Sequence, residues 1–356
     1  MAFELPALGK ISREVFDRVI LPQLGARHPA VLVPPQHGVD VGIVDLGNGS
    51  VMAVTTDPVF VVPAYGWERA AWFAVHILAS DAATSGLKPT FMAIDLNLPL
   101  EITEEELAIL WTTIHRVSSE LGIAIVAGHT ARYEGCNYPM VGGATVMAIG
   151  PADRYVTPGM ARVGDLVVVT KGAAIEAAGL FAVSFPDRIA AAFGQEFAQQ
   201  AQALFWQMSV VEDALTAASI GVRDDGVTAM HDATECGVFG GLVEVAAASR
   251  VGLRIDKERI LLREDVRKIC ELFGMDPYAA ISEGTLITTV RPHKVEELLA
   301  ALAGKGIAAS VVGEVVPREE GLVYLEHGEV HRLEHPGVDP FWAAFGRAMA
   351  EEQGGD

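Results

Sequence analysis

Apolar segments in the first 150 residues alternate between strand-like and helix-like patterns, and this alternation restricts the chain to a layered fold. The helix-like segments lack internal breakers, and in one of them Thr103 and Glu106 have the spacing of a capping box. Their order along the chain is strand, helix, strand, helix, strand, strand. That order predicts a layered α/β domain with mixed sheet pairing. The strand-like runs are 51–56, 90–96, 123–127 and 140–149, and the helix-like runs are 68–85 and 103–121.

A stretch containing proline and glycine, 150–164, separates this half from a second one. We therefore predict an N-terminal domain over 1–155 and a C-terminal α/β domain over 160–335. Within the second half, 286–316 has a strand, helix, strand pattern. The remaining 336–356 is predicted to form a terminal helix and tail that packs on the core rather than binding a partner helix. Its apolar stripe consists of Phe341, Trp342, Phe345 and Met349.

The charge balance disfavours partners that carry phosphate polymers or anionic lipid. With 26 basic and 46 acidic side chains, the net charge is −20. No run of about 18 apolar residues is present, and the first ten residues do not look like a signal peptide. The three cysteines lack C-x-x-C spacing, which is typical of a reducing compartment. We expect a cytoplasmic protein that binds neither nucleic acid nor membranes.

Three aspartates stand where apolar segments give way to turns. Asp40 lies between Gly38 and Gly42, Asp57 directly follows an apolar run, and Asp81 lies near the end of a helix-like segment. An acidic protein can bind a nucleotide through backbone N–H groups, local lysines or a bridging divalent cation. Carboxylates without clustered histidine or cysteine favour magnesium. Taken one at a time, each aspartate has a structural alternative as a capping or ion-pairing residue.

The tripeptide Gly128-His129-Thr130 follows the apolar run 123–127. A histidine at this position would be able to donate to a phosphate or act as a base. A hydrogen-bonded structural histidine is an equally good interpretation.

Several ordered motifs resemble those of the aminoimidazole ribonucleotide synthetase superfamily. In the first half these are Thr55-Thr56-Asp57, the segment 79–86 (ASDAATSG) and Gly128-His129-Thr130. In the second half, 230–238 (MHDATECGV), 272–277 (LFGMDP) and 282–285 (SEGT) are similar to the hydrogenase-maturation branch, HypE. Together the motifs span about 9–316, and their order makes the resemblance more specific than any single motif.

The resemblance implies a two-domain α/β fold with mixed sheets, in which the N-terminal domain over 1–155 binds ATP and Mg²⁺ and forms a homodimer by pairing its sheets. It also implies that ATP and Mg²⁺ bind in a cleft, where ATP phosphorylates an amide-type or carbonyl oxygen. That oxygen would belong to a small molecule or to a group on a maturation partner protein. The implied metal ligands are Asp40, Asp57 and Asp81. The implied nucleotide-binding residues are Gly38, Asp40, Gly42, Thr56, Gly128, His129 and Thr130. The implied catalytic residues are His231, Asp232 and Glu283.

Three departures from the family pattern leave other functions open. His129 replaces a residue that is commonly acidic, Asp40 stands alone where relatives have paired acids, and the chain ends Glu-Gln-Gly-Gly-Asp instead of in a cysteine. That cysteine carries the carboxamide in HypE, so we expect a separate acceptor here. The alternatives are a small-molecule kinase resembling thiamine-monophosphate kinase and a non-catalytic nucleotide-binding scaffold or maturation factor. Cys236 is interpreted as a buried structural thiol.

Overall fold

The computed structural model describes residues 9–353, so the end of the predicted tail, 354–356, lies outside the described residues. The strands are β1 (Val31–Val33), β2 (Gly42–Gly47), β3 (Ser50–Phe60), β4 (Pro89–Leu98), β5 (Ala124–Arg132), β6 (Met140–Pro151), β7 (Leu166–Thr170), β8 (Val227–Asp232), β9 (Gly252–Asp256), β10 (Leu286–Val290), β11 (Ala309–Val316), β12 (Leu322–Glu326) and β13 (Glu329–Arg332). The helices are α1 (Arg13–Val15), α2 (Trp67–Ala83), α3 (Glu104–Leu121), α4 (Ile175–Ser184), α5 (Pro186–Phe193), α6 (Gln195–Ala201), α7 (Val211–Ser219), α8 (Gly237–Ser249), α9 (Glu264–Phe273), α10 (Val295–Gly304) and α11 (Pro340–Gln353).

The first sheet has six strands in the order β1-β2-β3-β6-β4-β5. Strands β4 and β5 pair in parallel and the other neighbours are antiparallel, so the predicted mixed pairing is confirmed. Helix α3 begins with the predicted capping box, in which the Thr103 hydroxyl accepts from the backbone of Glu106. Strands β1 and β2 were not predicted, because the first has three residues and the second begins and ends with glycine.

Two strands are longer than predicted, and this changes where the candidate residues lie. Asp57 is inside β3 and not after it, because β3 continues to pair with β6 at Ala144. His129, with Gly128 and Thr130, is inside β5 and pairs with Asp95 of β4. The expectation that both motifs occupy turns after strands is therefore wrong. Each strand continues because a long neighbour supplies backbone partners, a contact that the local sequence does not encode.

The second sheet has seven strands in the order β13-β12-β9-β11-β7-β10-β8. Only β12 and β9, among its described pairs, are parallel. The predicted strand, helix, strand unit is present as β10, α10 and β11.

One apolar core joins the two halves. It contains Leu78 of α2 and Ile114 of α3, and it continues to Met230 of β8 and Leu298 of α10. Across the same junction, the backbone N–H of Val210 donates to the Ser80 hydroxyl at 3.0 Å. The ends of α2 and β8 are thus held next to each other by packing.

The terminal helix α11 packs on a second core rather than standing free. Phe341 is buried and its ring meets that of Phe181 edge to face, with 5.6 Å between centroids.

The three cysteines are unpaired. Across 9–353, no helix combines the length and the apolar character that crossing a bilayer would need.

Two adjacent glycines in β6 provide a matched test of this fold. Gly142 has φ +132°, and a Cβ there would lie 1.8 Å from the carbonyl oxygen of Asp95, whereas a Cβ at Gly143 would meet nothing closer than 3.7 Å. We expect Gly142→Ala to lower the free energy of unfolding by about 3 kcal/mol and Gly143→Ala by less than about 1 kcal/mol. Urea unfolding measures both. Equal losses would show that the strands approach less closely than described.

Candidate active site

Carboxylates from the first domain meet where α2 packs against β3. Thr55 and Asp57 are two residues apart on β3 and therefore face the same side of the sheet, towards α2. The Thr55 hydroxyl donates to Asp81 Oδ2 at 2.9 Å, and Asp57 and Asp81 are close enough for each to affect the pKa of the other. The strand and the helix thus bring together two acids that are well separated in sequence.

The second domain contributes a histidine held by two carboxylates. His231, near the end of β8, has Nδ1 at 2.8 Å from Asp40 Oδ1 and Nε2 at 2.9 Å from Glu244 Oε2. Burial alone would lower the pKa of His231, but Asp40 and Glu244 raise it well above its usual value. The hydrogen bond from His231 Nε2 lowers the pKa of Glu244 to about 2, although burial acts to raise it. His231 is therefore a doubly bonded imidazolium that joins the Asp40 loop to the second domain.

Asp232 and Glu283 complete the cluster. Each is only 1% exposed, and Asp232 Oδ2 and both Glu283 carboxylate oxygens have no hydrogen-bond partner within the described chain. Ligand atoms of Asp40, His231 and Asp232 lie within 4.8 Å of one another. Buried carboxylate oxygens without partners are costly unless they are protonated or bind a cation.

The loop that carries Glu283 is fixed on both sides. At Gly284, φ is +99° and a Cβ would lie 2.2 Å from the carbonyl oxygen of Gln207, so only glycine fits. The hydroxyl of Ser282 accepts from the backbone N–H of Ile175, and the Thr285 hydroxyl donates to the carbonyl of Gly172. The segment 282–285 therefore holds the glutamate rigidly at the cluster.

Protonation equilibria reflect this crowding of acids. Burial, with the neighbouring Asp232 and Asp57, raises the pKa of Asp81 well above its usual value. Burial and Asp232 likewise raise the pKa of Glu283 well above its usual value. Burial and Asp40 raise the pKa of Asp232 to about 7. A set of converging carboxylate oxygens fits Mg²⁺, which would replace the protons. The donor chemistry of the site therefore agrees with the predicted cation.

Lys10 and Glu244 belong to the site but were not predicted. Lys10 Nζ donates to the Thr234 hydroxyl at 3.3 Å, and its backbone N–H donates to Glu235. Loss of water alone would lower the pKa of Lys10, but Glu244, Asp81 and Asp57 raise it. A signal for Glu244 exists in the sequence, since it is the one charge in the apolar helix α8.

Four predicted nucleotide-binding residues lie away from the carboxylates in the described chain. Thr56 points to the opposite face of β3 from Asp57, and its hydroxyl donates to the carbonyl of Ala144. Gly128, His129 and Thr130 lie on the edge strand β5, three strands and about 14 Å from β3. His129 Nε2 is 2.8 Å from the Tyr133 hydroxyl.

The two loop glycines differ in their roles. Gly38 has φ +72°, and a Cβ there would lie 2.9 Å from Cβ of Glu244, so the Asp40 loop packs tightly on α8. Gly42 begins β2.

Cys236 is buried, its N–H donates to Asp339, and burial raises its thiol pKa to about 12, which supports a structural role.

Two cavities lie along α2. One, of about 510 Å³, is lined in part by Asp57 and Glu283. The other, of about 1360 Å³, is lined by Trp72, His76 and Lys171 and by none of the clustered carboxylates described above. The smaller cavity is therefore the one that adjoins the candidate site.

Two consecutive family models match the chain. The N-terminal domain of AIR synthase related protein matches 38–164, and the C-terminal domain of the same family matches 162–326. The chain belongs to the AIR synthase related family. Together the two matches include all the carboxylates of the cluster.

Curated relatives of this family member are hydrogenase-maturation proteins. The chain is 27% identical over 281 residues to carbamoyl dehydratase HypE of Rhizobium leguminosarum bv. viciae, covering 78% of this chain and 77% of the relative. It is 26% identical over 302 residues to carbamoyl dehydratase HypE of Escherichia coli, covering 83% and 85%.

Solved structures of two kinds share the fold. A HypE–HypF complex has a TM-score of 0.69 at 19% identity, covering 90% of this chain and 99% of that chain. HypE in complex with ATP has a TM-score of 0.65 at 20% identity, covering 94% and 97%. AaThiL complexed with AMPPCP and TMP has a TM-score of 0.67 at 18% identity, covering 91% and 97%.

The crowding of acids predicts how stability depends on pH without metal. Folded Asp232 keeps its proton up to about pH 7, whereas the unfolded chain releases it near 3.8, so the free energy of unfolding falls as pH rises between these values. The slope for this group is at most about 1.4 kcal/mol per pH unit. We expect Asp232→Asn to remove that part of the decline, and the exposed Asp187→Asn to leave it unchanged. Urea unfolding in EDTA between about pH 5 and 7 measures it, and identical profiles for wild type and Asp232→Asn would contradict the assignment.

Proposed function

We propose that the protein is an ATP- and Mg²⁺-dependent enzyme that phosphorylates an amide-type or carbonyl oxygen. The observation that carries the proposal is the convergence of Asp57, Asp81, Asp232 and Glu283 from two domains on one site, with buried oxygens that lack partners. The HypE relatives and the HypE complex with ATP support it. The acceptor is a small molecule or a group on a maturation partner, as the HypE–HypF complex suggests.

The carboxylates would hold the cation and orient the nucleotide. Asp57, Asp81 and Asp232 would be ligands of Mg²⁺, which when bound offsets the negative charge of the phosphates. Asp40, held by His231, would face the same ion, so we assign His231 a positioning role. Lys10 would add a second positive charge beside the phosphates. Phosphoryl transfer needs such positioning and charge neutralisation more than it needs covalent catalysis.

Glu283 is the residue best placed to move a proton. Its carboxylate is buried, has no hydrogen-bond partner in the described chain, and has a pKa raised by burial and Asp232. A carboxyl group with a raised pKa is able to exchange a proton with an acceptor. Both nitrogens of His231 are bonded to carboxylates, and Asp232 would be a ligand of the cation, which leaves Glu283 for that task.

A small-molecule kinase is the second candidate. The separate cavity beside Asp57 favours it, because a kinase needs room for an acceptor of its own. The two reactions differ in their products: a kinase leaves a stable phosphorylated acceptor, whereas activation followed by elimination releases free phosphate. Phosphorus NMR of the reaction mixture separates them.

We infer a homodimer formed through the uncovered face of the first sheet. On β3 and β6, Val51 and Val146 face the helices and are buried, whereas their neighbours Met52 and Met147 face outwards and Ile149 is 40% exposed. A central apolar sheet face of this kind is typical of an isologous interface.

Replacing Asp57 tests the nucleotide site. We expect Asp57→Asn to weaken Mg–AMPPCP binding at least tenfold and Asp57→Ala to abolish ATP-dependent turnover, because a cation ligand is lost while the fold is kept. Asp187→Asn is the control, since Asp187 is exposed on α5 and lies outside both the carboxylate cluster and the first sheet. Titration calorimetry measures binding. Unchanged affinity in Asp57→Asn would reject the assignment, and binding without turnover on any acceptor would favour a scaffold.

A charge on the uncovered sheet face tests the dimer. We expect Ile149→Glu to convert a dimer into a monomer in light scattering coupled to size-exclusion chromatography, because the carboxylate would be buried in the interface. Val163→Glu is the control, since Val163 is 53% exposed and lies outside the sheet. A dimer that withstands Ile149→Glu would place the interface elsewhere.

A further inference from the structure

A pocket lined by arginines lies at the C-terminal end of α8, whereas the carboxylate cluster lies towards the other end of that helix. The volume of this arginine pocket is about 420 Å³, and none of its described lining residues is acidic. The rest of its wall is small and aliphatic. Its charge is therefore opposite to that of the chain as a whole, which is −20. The arginines are Arg13, Arg250, Arg318 and Arg332.

The four arginines come from four separate parts of the chain. Arg13 belongs to the N-terminal segment (9–16), and Arg250 directly follows α8. Arg318 lies just after β11, and Arg332 ends β13. Arg250 has φ +59°, a left-handed conformation for which a helix C-terminus usually has glycine. The fold, and not a local run of charge, brings these guanidinium groups together.

The partners that these guanidinium groups have in the chain do not neutralise them. Asp17 and Glu334 each pair with one arginine, at 3.4 and 3.2 Å, but both pairs are exposed and therefore weak. The side chains of Arg250 and Arg318 have no partner in the described chain. The C-terminus of α8 contributes about half a negative charge. Positive charge therefore remains in excess in the pocket.

Close backbone packing holds the floor of the arginine pocket. A Cβ at Gly252 would lie 2.5 Å from the carbonyl oxygen of Gly321, so the start of β9 touches the turn before β12. The N–H of Leu253 donates to the same carbonyl at 3.1 Å. The N–H of Leu333 donates to the carbonyl of Leu322 at 2.9 Å. The arginine side chains thus extend from a fixed backbone, as a specific binding site requires.

The N-terminal segment connects the arginine pocket to the carboxylate cluster. The backbone N–H of Lys10 donates to Glu235, and its Nζ donates to the Thr234 hydroxyl. Three residues later, Arg13 lines the pocket. Because the other three arginines belong to the second domain, a ligand bound by all four would hold the N-terminal segment against that domain. It would thereby also hold Lys10 at the cluster.

The lining chemistry favours a compact phosphate ligand. Guanidinium groups offer pairs of donors that match phosphate oxygens, and a tetrahedral phosphate accepts from more directions than a planar carboxylate does. The acidic surface repels extended phosphate polymers. No described lining residue is aromatic, so the pocket lacks a surface on which a nucleobase would stack. These features select a small diphosphate over a nucleic acid or a nucleotide.

We propose that the arginine pocket binds a compact diphosphate anion, and that the bound anion fastens the N-terminal segment to the second domain. The pocket is then a regulatory site, since it controls whether Lys10 is held beside the carboxylates. By linkage, any ligand that Lys10 contacts at the cluster would tighten diphosphate binding in return. The inference does not rest on the proposed function, because neither ATP nor a cation takes part in it.

Titration calorimetry of the full chain with pyrophosphate in EDTA tests the pocket. We expect binding at one site, weakened at least tenfold by Arg250→Gly and by Arg318→Gln, because each change removes a guanidinium group that has no other partner. Both residues are exposed, and glycine suits the backbone at 250, so the fold is kept. Arg259→Gln is the control with the same charge change. The Arg259 side chain is 64% exposed and lies outside the pocket, so we expect less than a twofold effect.

Hydrogen exchange tests the fastening of the N-terminal segment. Saturating pyrophosphate should slow amide exchange in 9–16 at least threefold, because the segment opens less often when its arginine is held. Arg13→Gln should remove this protection, while the three remaining arginines still bind pyrophosphate more weakly. Exchange in α3, which contributes no residue to the pocket, should stay the same in every sample.

Each part of the inference has its own contradicting result. Absence of pyrophosphate binding, or equal affinity in wild type, Arg250→Gly and Arg318→Gln, would overturn the pocket assignment. Tighter binding of citrate or of a hexaglutamate peptide than of pyrophosphate would overturn the choice of a phosphate ligand. Pyrophosphate binding without slower exchange in 9–16 would overturn the fastening. All of these results leave the proposed function untouched, since the samples contain no nucleotide and no free divalent cation.

Discussion

Burial of several carboxylates at one junction is the constraint on which the rest of the structure depends. Asp57, Asp81, Asp232 and Glu283 repel one another, and their burial favours protonated forms over charged ones. Such a cluster persists only where the backbone holds it rigidly. Gly284 and the hydrogen bonds of its loop supply that rigidity on one side, and Thr55 supplies it on the other. A divalent cation would turn the repulsion into ligation.

The shared core explains how two domains make one site. Because apolar packing runs from α2 and α3 into β8 and α10, the acids of the first domain and those of the second are positioned by the same set of contacts. His231 adds a direct bridge, since Asp40 belongs to the first domain and Glu244 to the second. The cavity between β3, α2, α4 and α11 lies at the same junction. Nucleotide and acceptor would therefore meet between the domains.

Local signals in the sequence predict individual helices and strands, whereas non-local contacts set the strand lengths and bring the site residues together. Helix α3 and the unit β10, α10, β11 follow from capping and apolar periodicity. The positions of Asp57 and His129 relative to strand ends were predicted wrongly, because strand length depends on pairing partners. The ordered motifs pointed to Asp40, Asp57 and Asp81, which periodicity alone does not bring together. Lys10 was missed because its role arises only from distant acids that surround it.

A crystal structure with Mn²⁺ and AMPPCP would locate the cation, because manganese replaces magnesium and its anomalous scattering marks its position. We expect an anomalous peak between Asp57, Asp81 and Asp232, in contact with the phosphates, with the Asp40 loop beside them. A peak remote from these side chains, with the nucleotide in the larger cavity between Trp72 and Lys305, would contradict it.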